Sequence, residues 1–132
     1  MEIEWLLGKQ CTRVLKSNGS FIFEFGEARL VCESLWRILS EGRIRLTSLD
    51  HGRQYGRPSP VDATEEATQE LVGRSVVGAS VVEWSADMTI VFDRDRTLQL
   101  LTDSTGYEAW DLQAPGRHLV ASSGGSIVDF SS

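Results

Sequence analysis

The sequence predicts a mainly β domain with one short helix, built from two tandem copies of one unit that face each other across a pseudo-twofold axis. The predicted architecture is a sandwich or a partly closed barrel. Three observations carry this. Apolar residues alternate with period two in several short runs, an ordered set of Gly, aromatic strand, Trp and Gly-Arg occurs twice, and 132 residues suit one domain with a core large enough to need no disulfide or metal.

In chain order, Leu6-Leu7-Gly8-Lys9 opens the first unit and recurs as Leu71-Val72-Gly73-Arg74, an offset of 65. β-branched residues and a polar turn follow each. The turn pair Asn18-Gly19 leads into the strand Phe21 to Phe25, and Ser85-Ala86-Asp87 leads into Met88 to Phe92. Leu30-Val31-Cys32 and Leu98 to Leu101 are the next strands. Ser34-Leu35-Trp36-Arg37-Ile38 then matches Glu108-Ala109-Trp110-Asp111-Leu112 with the two tryptophans 74 apart, as are Gly42-Arg43 and Gly116-Arg117. The extra nine residues fall mainly in longer loops around Trp84 and from Asp103 to Gly106. Strands 43–47 and 117–121 follow, and a last hairpin turns at Gly124-Gly125 into Ile127 to Phe130. A unit of this kind exposes an apolar face and must bury it against a second copy.

The repeats are assigned to 1–52 and 71–132, joined by residues 53–70. The Gly, Arg and Pro content of Gly52 to Pro60 marks a connection, and a helix follows, with Asp62 as N-cap, Glu65 placed as in a capping box, and Gly73 as the stop.

Charge is unevenly shared. Residues 1–57 hold nine Lys and Arg against seven Asp and Glu, whereas residues 58–132 hold four against twelve. Such a surface repels nucleic acid, which needs clustered basic residues, and attracts a basic protein; a surface kept acidic for solubility alone is the plainer reading. The N-terminal residues are acidic where a signal peptide is basic, and no apolar run reaches membrane-spanning length, so a cytoplasmic location is expected. Cys11 and Cys32 read as small buried hydrophobes.

No catalytic, cofactor-binding or metal-ligating set is legible. His51 and His118 fall at non-equivalent positions of the repeat, His51 in a turn expected at the surface. Zinc would require three or four clustered ligands, and no serine lies in a nucleophile elbow. Ser122 to Ser126 lacks a phosphate-binding Lys. The expected class is therefore a non-enzymatic binding module. Contact residues are sought in the acidic half, at Glu65, Glu66 and Glu70 on the helix and at Asp93, Asp95 and Asp103 in loops. Trp84, beside a turn, is a candidate interface anchor. The alternative is a small-molecule or peptide site in the cleft between the copies near Trp36 and Trp110, which are otherwise core residues.

The second copy, with Leu71-Val72-Gly73-Arg74, Tyr107-Glu108-Ala109-Trp110-Asp111-Leu112, Pro115-Gly116 and Gly124-Gly125, resembles a family of small uncharacterised bacterial proteins frequent in actinobacteria. It departs from that pattern at the turn residues Ala114 and Ser123. The resemblance implies no catalytic residue and no cofactor. Proteins of this general type are similar to immunity proteins that neutralise toxin domains, and a basic toxin domain is the partner this implies. The oligomeric state is left open, because exposed edge strands could pair.

Overall fold

The computed structural model describes all of residues 1–132. Two antiparallel sheets pack face to face. The strands are β1 (Arg13–Ser17), β2 (Ser20–Phe25), β3 (Ala28–Cys32), β4 (Leu35–Ser40) and β5 (Arg43–Thr47), then β6 (Val76–Val81), β7 (Met88–Phe92), β8 (Arg96–Leu101), β9 (Trp110–Ala114), β10 (Arg117–Ala121) and β11 (Ile127–Asp129). One α-helix, α1 (Ala63–Leu71), precedes β6. The architecture is a mainly β sandwich, and no barrel closes.

The order of the larger sheet is β1-β2-β3-β9-β10-β11 and that of the smaller is β5-β4-β8-β7-β6. Three strands of the first unit are thus joined by three of the second in the larger sheet, and three of the second by two of the first in the smaller. Exchanging each strand for its counterpart five positions away in chain order converts the first five strands of the larger sheet into the smaller one, with register kept except at two irregularities of the smaller sheet, at Ile38–Leu39 and Val76–Gly78. Cys32 lies opposite Trp110 where β3 meets β9, and Leu100 lies opposite Trp36 where β8 meets β4.

The recurring Leu-x-Gly-basic segments meet at the axis. Gly8 N donates to Val76 O and Gly73 N to Cys11 O; Cys11 N donates to Arg74 O and Val76 N to Lys9 O, all at 2.8 to 3.0 Å. Each of these bonds is the counterpart of another under the offset of 65. Gly8 and Gly73 have φ of 84° and 90°, a backbone region that strains any side-chain-bearing residue. Leu6 and Leu71, two residues earlier in each segment, are fully buried.

Period-two alternation holds in the core strands. Phe21, Phe23 and Phe25 from β2 meet Trp36 from β4 and Phe92 from β7, with Phe25 and Phe92 stacked at 6.1 Å between ring centroids. α1 packs on β1 and β5 and buries Ala63, Ala67 and Leu71. Asp62 caps it, its Oδ1 accepting from the N–H groups of Thr64 and Glu65. Glu65 enters through its main chain and not through its carboxylate, so the expected capping box is only half formed. His51, expected at the surface, is half-buried: its Nδ1 accepts from Ala63 N at 3.0 Å and its ring stands edge-on to Phe21. No helix is long and apolar enough to cross a membrane.

Candidate functional site: an acidic, aromatic loop end

Strand pairing sorts the connections into two ends. Phe21, Cys32, Trp110 and Ala121 stand abreast in one sheet, and Leu35 pairs Leu101 in the other. Segments 18–19, 33–34, 48–50, 82–87, 102–109 and 122–126 therefore share one end of the sandwich. Bonds from Glu33 N to Ala109 O at 2.9 Å and from Leu35 N to Asp103 Oδ2 at 3.1 Å tie the first unit's segments to the second's at that end, one bond in each sheet. These six segments contain six carboxylates, Glu33, Asp50, Glu83, Asp87, Asp103 and Glu108, and no Lys or Arg. None of the six takes part in an ion pair. The opposite end carries Arg13, Arg43, Arg74, Arg94, Arg96 and Arg117 together with Glu27, Glu41, Asp93 and Asp95, so both signs mix there and only the first end is of a single sign.

Large apolar side chains project from the acidic end: Trp84 is 84% exposed, Tyr107 78% and Leu49 70%. Burying such rings against a partner would be favourable. The loop holding Trp84 is braced on several sides. Val82 N donates to Asp87 O, Ala86 N to Val82 O, Thr102 N to Asp87 Oδ1 at 2.8 Å and the Trp110 indole N–H to Ala86 O at 2.8 Å. Gly125 presses on the same loop, since a Cβ there would lie 2.7 Å from the carbonyl of Ser85. A braced loop loses little freedom on binding, which favours affinity. Beside Trp84 lies a depression of about 340 Å³ bordered by Ser85, Thr102, Asp103, Ser104, Thr105 and Gly124.

Of the six acidic residues expected from sequence to make contacts, only Asp103 belongs to this end. Glu70 is a structural anion, its carboxylate 2.7 Å from Arg96 Nε and 3.5 Å from Arg45 Nε. Asp93 accepts from Ser75 N and lies 3.6 Å from Arg94 Nε, and Asp95 stands between Arg94 and Arg96 in the β7–β8 turn at the opposite end. Glu66 pairs with Arg57 at 3.1 Å, and Glu65 lies with it on the flank formed by α1. Three of the six, Glu66, Glu70 and Asp93, are thus ion-paired with arginines, whereas Glu33, Glu83 and Glu108 at the acidic end have no such pair and stand at the same end as the exposed Tyr107 and Leu49. Loop length was the available signal, because 82–87 and 102–109 stand where the first unit has the short links 18–19 and 33–34.

Trp36 and Trp110 are 0% and 1% exposed. The space between the units is packed core, and the alternative cleft does not exist. Trp110 borders only a shallow depression of about 150 Å³ on the outside of the larger sheet, with Val31, Glu33, Glu108, Asp111 and Gln113.

Compared with protein-family models, curated proteins and solved structures, the chain matches none.

The two histidines are far apart in function: His51 serves the helix terminus, and His118 Nε2 lies 3.1 Å from Asp111 Oδ1. Burial pushes the Cys11 thiol up to about 12 and the Cys32 thiol up to about 11, so neither is a nucleophile at neutral pH.

Proposed function

We propose that this is a non-enzymatic protein-binding module that neutralises a basic protein by occlusion, most concretely an immunity protein for a bacterial toxin domain. The observation supporting it is the acidic loop end, where six carboxylates, none in an ion pair within the chain, share one end of the sandwich with the exposed, braced Trp84. Carboxylates at that density accelerate encounter with a cationic surface and hold it in register. A rigid exposed Trp is the residue type that most often dominates binding energy at an interface centre. An acidic protein seated on a cationic cleft blocks access to it without any chemistry of its own.

The test is affinity purification of the tagged protein from its host, in parallel with Trp84→Ala, with Glu83→Lys plus Glu108→Lys, and with Asp93→Lys plus Asp95→Lys. Glu83 and Glu108 make no hydrogen bond within the chain, so their reversal perturbs charge and not the fold. The expected result is one stoichiometric basic partner, toxic when expressed alone, retained by the wild type and the Asp93 and Asp95 variant and lost from the other two. A partner held equally by all four proteins would defeat the assignment of the site, and absence of any partner would defeat the function.

A further inference from the structure

The duplicated architecture supplies its own control, because every outward position of one sheet has a counterpart in the other. Main-chain pairing lines up Leu15, Ile22, Val31, Asp111 and Val120 in one continuous row across β1, β2, β3, β9 and β10. The counterpart row across β6, β7, β8, β4 and β5 is Ser80, Thr89, Gln99, Arg37 and Thr47. Both rows alternate with the core residues of their strands and face away from the core. An antiparallel sheet with one wet face is expected to be polar there, as the smaller sheet is. In the larger sheet four of the five positions are aliphatic, and Asp111 stands where the smaller sheet has Arg37.

The row continues to Val128 on the edge strand β11, next to exposed Phe130. Ile22 and Val120 are only 3% and 5% exposed, forming the floor, while Leu15, Val31 and Val128 remain accessible. Two depressions of about 270 and 150 Å³ meet at Val31, Asp111 and Gln113; Glu27 and Arg29 line the first, and Gln113 and His118 contact the Asp111 carboxylate at 3.0 and 3.1 Å. The second is rimmed by Glu33 and Glu108, which belong to the acidic loop end, so the face and that end are continuous.

We infer that the outer face of the larger sheet is a second part of the partner interface. Its occupant is a basic segment of protein that lays apolar side chains along the row and sets a Lys or Arg between Asp111, Glu33 and Glu108. This inference rests on the reading that the partner is a basic protein.

The probe is a hexapeptide alternating Arg and Val, titrated to millimolar concentration into the ¹⁵N-labelled full chain and followed by amide shifts. Controls alternate Glu with Val and Arg with Ser. The expected result is saturable shifts at Val31, Asp111 and Val120 with the Arg-Val peptide only, weakened at least fivefold by Val31→Gln and by Asp111→Asn. Val31→Gln installs the residue that the sister row already carries, and the melting temperature checks that both variants fold. Shifts confined to residues 82–87 and 102–109 would overturn the second surface and leave the acidic-end reading standing. No shifts at either place would overturn both. Concentration-dependent dimerisation in sedimentation equilibrium, abolished by Val31→Gln, would assign the face to a second copy and overturn the basic occupant.

Discussion

Replacing each of the two core tryptophans by phenylalanine separates what their symmetric positions share from what differs. Trp36 and Trp110 occupy counterpart positions and are equally buried, so Trp→Phe removes the same atoms and leaves a similar cavity in each. Their indole N–H groups differ. That of Trp110 donates to Ala86 O at 2.8 Å, whereas that of Trp36 has no hydrogen-bond partner in the chain. Trp110→Phe therefore strands a buried carbonyl at a cost of about 1–3 kcal/mol, while Trp36→Phe removes a polar group that is already costly to bury. The edge-on contacts of Trp36 with Phe21 and Phe23, at 5.1 and 5.3 Å, survive in part with a phenyl ring. At roughly 4 °C per kcal/mol for a chain of this size, the Trp110→Phe protein should melt roughly 4–12 °C below the Trp36→Phe protein. Urea denaturation and thermal melts of both variants supply the comparison, and hydrogen exchange across residues 82–87 should quicken only in Trp110→Phe. Equal melting temperatures, or a lower one for Trp36→Phe, would refute the argument that the Ala86 bond braces the Trp84 loop.

Three further outcomes follow from the same structure. Gly125→Ala should cost at least 2 kcal/mol in urea titrations, because its Cβ would collide with the Ser85 main chain and its φ is 85°. Asp62→Ala should lose about 1 kcal/mol of helix capping; hydrogen bonds from Thr64 and Glu65 lower the Asp62 pKa, so this contribution is present above the ordinary carboxylate range and fades as pH falls through the depressed value. The cysteines act at the other extreme. Their pKa values are raised by burial from 9.0 to about 12 and about 11, so folding stability is unaffected below pH 9 and declines as pH rises beyond it, when only the unfolded chain ionises. Thiol labelling of the native protein at neutral pH should track global unfolding, and fast labelling of either cysteine would contradict its placement.

The acidic half of the chain looked like a uniform anionic surface in sequence, and this shows where linear reading fails. Glu70 finds Arg96 across 26 positions, and Asp93 accepts from Ser75 across 18. Charges that neutralise one another in space were counted separately along the chain. The acidic end that does exist draws Glu33 and Asp50 from the first unit, whose seven acidic and seven basic residues balance. The exposure of Trp84 was legible because it stands beside a turn, outside the repeat pattern; that of Tyr107 and Leu49 carried no such mark.

What the sequence by itself determined is local. Period-two alternation, the turn glycines, the Asp62 cap and the doubled Leu-x-Gly-basic segment specify the strands, the helix and the two-unit plan, because each depends on neighbours a few residues apart. The exchange of strands between units was decided only by the tertiary structure. Each unit alone leaves a β3 or β8 edge unpaired, and the cross-pairing that satisfies it joins residues as far apart as Arg29 and Gln113. That exchange then chose which carboxylates meet arginines, which loops gather at one end, and which sheet turns an aliphatic row outward, because all three depend on which distant strands lie side by side.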